Sequence, residues 1–328
     1  MNNLKLLVGK NGTFYDYTEL LIRVVWSGRK GAAPRTVEAT LFDSEQEPKA
    51  RAKINCGDGL TCILYEKGKE LFRGLVMTEN YSSKRTLKIK AYDNCIRLCN
   101  NKDSFSFKEK RADEIFRECL KRLGLKAGTV VNTGHVIGEL VKKNTTFWDV
   151  IEDALSQTYK NTGKRYYVSA SKGKISLKRR VEQKTMVMLE LNTNISSYDN
   201  TRSIYDTRTR LKLTTSKGET KGSTVNSSLE KKIGRFQEVE SVDEDITSTE
   251  VNQRIKIFNE EQSIVSRSLK VTATGDASVI SGGCVYASIS NLGTKRVMYV
   301  DEDTHTWEKG HHMMVLKLNY AKDIDRAG

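Results

Sequence analysis

The 328-residue chain is expected to adopt an α+β, β-dominated fold, with two antiparallel β-barrel or sandwich domains and a small inserted α/β domain. Three observations carry this. The chain up to Asn94, and again from Leu189 onward, contains segments that alternate apolar and polar residues at a period of two. Between Arg111 and Thr158 the apolar spacing becomes helical. The two β regions also share an order: a glycine-containing turn, a strand, a polar loop and a second strand.

Val37, Ala39 and Leu41 face one way and Thr36, Glu38 and Thr40 the other, the mark of a half-buried strand. The turn Cys56-Gly57-Asp58-Gly59 leads to a strand at Thr61–Tyr65, and Lys67-Gly68-Lys69 predicts a hairpin into Leu71–Thr78. Arg85–Ala91 follows, with Leu87, Ile89 and Ala91 on one face. Ala112, Ile115, Phe116, Cys119, Leu120 and Leu123 then predict a helix, with Asp113 and Glu114 in its first turn, Lys121 and Arg122 in its last, and Gly124 as a stop. A second helix is capped by Thr146 with Asp149 and buries Phe147, Ile151, Ala154, Leu155 and Thr158. A hairpin at Arg165–Ala170 and Lys174–Lys178 turns on Lys172-Gly173.

From Leu189 the pattern returns to β, with Thr209, Leu211 and Leu213 alternating against Arg208, Arg210 and Lys212. Ser216–Ser228 reads as an exposed loop. A third helix follows Thr247, capped with Glu250, and presents Val251, Ile255 and Phe258. Strands at Leu269–Ala273, Val285–Ile289, Arg296–Val300 and Met313–Leu318 close the chain. The expected division is 1–95 for the first β domain and 96–188 for the inserted α/β domain, with 226–265 as a helical return segment. Residues 189–225 plus 266–328 make the second β domain. If the two β regions are a duplication, Phe72–Met77 falls on Val297–Val300 and Leu87–Ala91 on Met314–Leu318.

Hydrophobic residues at 38% and charged residues at 29% describe a globular chain rather than a disordered one. The formal net charge of +14 favours contact with nucleic acid, an anionic wall polymer or an acidic protein surface. Because Lys and Arg are scattered and form no long block, a merely solvated surface is an equal reading. The six cysteines follow no secreted spacing and are expected to be reduced and buried. No signal peptide or membrane anchor is expected, since Lys5 and Lys10 bracket only a short apolar run.

Four groups of residues invite a chemical reading. His305, His311 and His312 surround what reads as a hairpin tip, Thr306–Gly310, which favours packing over a zinc site. Cys95 and Cys99 have no second pair to complete a metal or redox site, and His135 stands alone. The acidic runs Glu152-Asp153, Asp243-Glu244-Asp245 and Asp301-Glu302-Asp303 read as exposed loops and helix faces rather than a catalytic cleft. Tyr166-Tyr167 beside Lys164-Arg165 has the makings of a base-stacking strand, but a strand with one aromatic buried is the plainer reading. There is no Walker loop, nucleophile elbow or HExxH motif. No catalytic, cofactor-binding or metal-ligating residue is therefore assigned.

Several stretches together resemble the XkdQ/YqbQ family of baseplate hub proteins from PBSX-like prophages, related phages and tail-like bacteriocins. They are Gly57-Asp58-Gly59 with Gly68-Lys69-Glu70-Leu71-Phe72-Arg73-Gly74-Leu75-Val76 and Lys90-Ala91-Tyr92-Asp93, then Arg111–Phe116, Ile233–Val239 and Val242-Asp243. The last is Tyr299-Val300-Asp301 with His305–Leu316. The resemblance implies two tail-tube-like β domains per chain, a homotrimer between tail tube protein and central spike protein, and contacts with other baseplate proteins. It implies a structural protein; no cofactor is expected, and nucleic acid is not the expected partner. The host particle would be a phage, a defective prophage or a bacteriocin, assembled in the bacterial cytoplasm and released by lysis. Two other classes are weighed against this: a cell-wall hydrolase of an injection particle, and a basic module binding nucleic acid or anionic wall polymer.

Overall fold

Alternating burial builds most of the structure. The computed structural model describes residues 3–43, 56–57, 59–83, 85–180 and 186–319, so Asp58 of the predicted turn lies outside the described residues. The first lobe contains β1 (Leu4–Lys10), β2 (Thr13–Asp16), β3 (Leu21–Arg29), β4 (Ala32–Phe42), β5 (Thr61–Glu66), β6 (Lys69–Ser82) and β7 (Thr86–Asp93). In space they run β3-β4-β7-β6-β5-β1-β2, antiparallel throughout. Val37, Ala39, Leu41, Leu87, Ile89 and Ala91 point into its core.

The α/β module follows: α1 (Ile96–Cys99), β8 (Lys102–Arg111), α2 (Ala112–Arg122), β9 (Ala127–Val130), β10 (Val136–Thr146), α3 (Phe147–Thr162), β11 (Tyr166–Ser171) and β12 (Lys174–Arg179). Asp149 N donates to Thr146 Oγ1 at 3.0 Å and caps α3, which ends at Gly163 in the left-handed region. The apolar stripes of α2 and α3 share one core with Phe105, Phe107, Ile137, Leu140, Ile175 and Leu177 from the strands.

The chain then forms β13 (Met188–Glu190), β14 (Ile195–Ser203), β15 (Arg210–Thr214), β16 (Thr220–Val225), α4 (Ser227–Ile233), β17 (Gln237–Ser241) and α5 (Ser248–Ile257). It ends in β18 (Ser266–Thr274), β19 (Cys284–Ile289), β20 (Thr294–Glu308) and β21 (His311–Asn319). The second lobe runs β14-β18-β21-β20-β19-β13, antiparallel except for the parallel β13–β19 pair. Three hairpins turn on a Lys-Gly pair: Lys67-Gly68 (φ 48 and 76), Lys172-Gly173 (48 and 74) and Lys309-Gly310 (49 and 83). Positive φ at both positions suits the twist of tight hairpins.

Residues 204–225, expected in the second β domain, lie elsewhere. β15 pairs with β16 and β17, not with β14 or β18. Leu211, Leu213, Val242 and Phe258 form a core of their own, which Val251 and Ile255 of α5 help to cover. The expected loop Ser216–Ser228 contains β16 and the start of α4. Its polar composition hid the strand because α5 supplies the apolar cover: a Cβ on Gly222 would stand 2.7 Å from Val251 Cγ1. This small unit leans on the α/β module, where Arg254 Nη2 donates to Asn161 Oδ1 at 3.1 Å and Lys160 Nζ lies 2.7 Å from Glu240 Oε1. Among the described residues no helix is long and apolar enough to cross a membrane.

The two lobes repeat in strand order, differing in one edge strand: β1 runs antiparallel to β5, and β13 parallel to β19. Strand for strand, β3-β4-β7-β6-β5-β1 has the same chain order as β14-β18-β21-β20-β19-β13. The β6–β7 ladder shifts register between Val76 and Thr78, and the β20–β21 ladder between Val300 and Glu302. Val76 N donates to Leu60 O at 2.9 Å, and Val300 N to Gly283 O at 3.0 Å. Setting Val76 on Val300 places Leu87, Ile89 and Ala91 on Met314, Leu316 and Leu318, all buried. A one-residue slip would turn each set outward.

Phe116 of α2 is 0% exposed at the centre of the module core. Phe116→Ala should cost about 3–5 kcal/mol in chemical denaturation, from lost burial plus the cavity left behind. An unchanged unfolding midpoint would contradict this packing.

Candidate functional site at the joint between the lobes

β20 is the longest strand, and its two halves have different neighbours. Residues 294–299 pair with β19 of their own lobe, whereas 302–308 pair with β3 of the first lobe. The sheet therefore continues from one lobe into the other. Trp307, carried by β20, packs in the core of the first lobe together with Ala277 and Ile280.

A buried ion pair sits on this joint. Asp303 is 1% exposed, and its carboxylate accepts Arg35 Nη1 at 2.8 Å, Arg35 Nη2 at 2.5 Å and Ser281 N at 2.6 Å. A forked guanidinium answers both carboxylate oxygens, as burial of a charge demands. Gly28 makes room for it, because a Cβ there would stand 2.1 Å from Arg35 Nη1. The Arg35 Cζ lies 4.2 Å from the centroid of Trp26, adding a cation–π contact. Arg35 N also donates to Asp93 Oδ2 at 3.1 Å, and Cys95 N donates to Asp93 Oδ1 at 2.8 Å. These bonds tie the joint to the start of the α/β module.

Beside the ion pair the rings of Trp26, His305, Trp307 and His312 are packed together, with Trp307 and His312 stacked at 4.0 Å. His305 Nε2 lies 2.8 Å from Val279 O, and a carbonyl can only accept, so Nε2 carries the proton. Nδ1 of the neutral ring then accepts from His312 Nε2 at 3.0 Å. Trp307 Nε1 donates to Glu66 Oε1 at 2.9 Å, and His312 Nδ1 lies 3.4 Å from the same oxygen.

The structure sorts the residues singled out earlier. His305 and His312 meet, while His311 is exposed and stands apart from their contact. Only Lys309-Gly310 forms the hairpin tip, since Thr306–Glu308 belong to β20. Among the described residues no three His, Cys, Asp or Glu side chains gather in a way that could hold a metal. His135 Nε2 lies 2.9 Å from Asn161 Nδ2. Cys95 is buried and Cys99 half-buried on α1 and its cap. Tyr166 leans on the module core and its hydroxyl donates to Thr133 O at 3.2 Å. Tyr167 lines a cavity of about 480 Å³ between first lobe, module and the 277–282 turn, whose wall includes Glu152. Burial raises the pKa of that carboxyl. Asp243 and Glu244 are exposed as expected. The run Asp301-Glu302-Asp303 is not an exposed loop: it lies within β20, with Asp303 buried, because its partner strand comes from the other lobe. Arg35, Trp26, Ser281 and Glu66 were not anticipated. Arg35 and Asp303 are 268 residues apart, and no local pattern links them.

Removing one member of the pair strands the other, so Arg35→Leu should destabilise the chain by about 3–5 kcal/mol. The double change Arg35→Leu with Asp303→Leu should recover much of that in denaturant titration, and equal losses would refute the pairing. Both histidines titrate below the ordinary range, mainly through burial, and repulsion from His305 helps bring His312 to about 4 from 6.5. The unfolded chain takes these protons first as pH falls. The His312 contribution to stability is thus full above about pH 6.5 and is lost on the way down to about 4, and that of His305 falls in the same direction. The thermal midpoint should fall across that window, and His312→Gln should flatten the fall; an unaltered slope would contradict the arrangement.

Residues 24–319 match the profile of the YQBQ-like family. The chain is 35% identical to the phage-like element PBSX protein XkdQ of Bacillus subtilis (strain 168) over 308 residues, covering 92% of this chain and 94% of that protein. It is 33% identical to YqbQ of the same organism over 308 residues, covering 92% and 93%. Its fold is similar to the 43 kDa tail protein of prophage MuSo2 from Shewanella oneidensis, with TM-score 0.74 and 15% identity, over 98% of this chain and 100% of that one. The profile leaves out only β1, β2 and the start of β3 among the strands of the two lobes and takes in Trp26, Arg35 and β20 of the joint, so the chain belongs to the YQBQ-like family.

Proposed function

We propose that this protein is a structural baseplate hub of a contractile, phage-like tail, working as a homotrimeric ring between the tail tube and the central spike. The observation that carries the reading is the repeated strand order of two lobes fused through one continuous sheet. Three such chains present six similar lobes while keeping threefold symmetry. A ring of that kind fits a sixfold tube on one side and a threefold spike on the other. The lobes at 1–95 and at 189–203 plus 266–319 are then the two tube-like domains, and the intervening segments project from the ring. The kinship with a PBSX protein and the likeness to a prophage tail protein support a place in a phage-like particle. Its work is done by protein–protein contacts, with other baseplate proteins as further neighbours. Assembly in the bacterial cytoplasm and release by lysis complete the proposal.

Copy number tests it. In purified particles carrying an affinity-tagged version of this chain, quantitation against the other tail proteins should give three copies per tail. The tag should be found at the tube–spike junction. Six copies, one copy, or a tag elsewhere on the tail would overturn the reading.

A further inference from the structure

A basic groove of about 750 Å³ lies at one end of the second lobe. Leu269, Val271 and Ala273 of β18 are buried on alternate residues, and Arg267 continues their phase into the groove, where it is exposed. Arg202 of β14 is its direct partner in the ladder, so two guanidinium side chains stand opposite each other on neighbouring strands. Like charges so placed work against the sheet. Arg296 of β20 lines the same groove. Among the described residues, none of these three arginines has a hydrogen bond or an ion pair. The two carboxylates of the groove are already answered: Glu261 accepts from Arg165 and Tyr159, and Asp301 Oδ1 lies 3.5 Å from Arg180 Nη2. The chain thus gathers positive charge in one hollow at a cost to its own sheet.

Apolar surface adjoins this charge. Ile264 lines the groove and is 37% exposed. Thr207 Oγ1 donates to Ile264 O at 2.9 Å, and Thr207 N donates to Ile204 O at 3.0 Å. These bonds bring Ile204 and Tyr205, 46% and 87% exposed, to the same end of the lobe. Unpaired guanidiniums beside exposed apolar side chains have the composition of a docking surface.

We propose that this groove docks an acidic peptide segment of a partner protein, whose carboxylates take the three arginines and whose apolar side chains cover Ile264 and its neighbours. A forked guanidinium is matched to a carboxylate, and the incoming acid also relieves the repulsion between Arg202 and Arg267. A sugar–phosphate chain suits the site less well. It would carry a charge on every nucleotide past Glu261 and Asp301 and leave the apolar residues in water. A peptide with a few carboxylates set among apolar residues satisfies both parts of the surface. The groove is built by one chain, so the contact needs no ring.

The probe is a synthetic peptide of glutamates interleaved with leucines, added to the purified full chain at physiological ionic strength and followed by fluorescence anisotropy. It should bind, and its glutamine analogue should bind at least about tenfold more weakly. Arg202→Ser and Arg267→Ser should each weaken binding about tenfold. Stability separates docking from folding: either change removes a like-charge pair and should raise the thermal midpoint of the unbound chain. Arg202→Glu sets an acid opposite Arg267 and should raise the midpoint further while abolishing binding. No binding of the peptide, variants that bind it as the parent does, or variants that lose binding together with a lowered midpoint would overturn the proposal. So would a single-stranded oligonucleotide that binds more tightly than the peptide and loses its hold in the same variants. Self-association of the chain that these variants abolish would give the groove to a second copy instead. Binding that appears only once residues 320–328 are removed would give it to the chain's own end.

Discussion

A charge buried in the middle of a strand is the constraint on which the rest of this structure depends. Asp303 has water on no side and belongs to a strand shared by two lobes. Its carboxylate is tolerable only because Arg35 reaches it from the first lobe and Ser281 N from the second. A buried pair of this kind adds little net stability over well-packed apolar residues, but it discriminates strongly among arrangements. Sliding β20 by one residue against β3 would send Asp303 to the opposite face and leave Arg35 without its partner. The pair thus selects one register for the sheet, and that register fixes how the lobes are placed.

Other features follow from this placement. Trp307 can complete the first lobe's core only when β20 extends beyond its own lobe. His305 and His312 then fill the space beside it as neutral rings. Asp93 links the same arginine to the first residues of the α/β module, so the module is held at the joint as well as by the chain connection. The small β15–β17 unit with α5 rests on that module through Arg254 and Lys160, away from the continuous sheet. A protein of this design keeps its repeated lobes in one surface and its irregular parts outside it.

Local signals were legible in the sequence where they were dense. The stripes of α2 and α3, the Lys-Gly hairpins and the alternation at Leu87–Ala91 and Met314–Leu318 each carry their own physical instruction within a few residues. The likeness of the two β regions was legible for the same reason, through turns and phases. β16 was not, because its apolar cover comes from Val251 on a helix more than one element away. The assignment of 204–225 failed similarly: Leu211 and Leu213 alternate as a strand should, but alternation does not name the partner sheet. The acidic run at 301–303 looked solvated because acidic residues usually are, and its exception depends on an arginine near the other end of the chain. The histidines were placed beside a hairpin, yet their depth came from Trp26 and Val279, which no spacing announces.

Native-state hydrogen exchange at the joint tests the central claim most directly. If one register-locked sheet couples the lobes, the amides of β3 and of the far half of β20 belong to the most protected class. They should then exchange at the free energy of global unfolding, equal to that of the core strands β7 and β21. Exchange of the joint at a markedly lower free energy, with the two lobes opening at separate values, would show that they are independent domains merely in contact and would contradict the account.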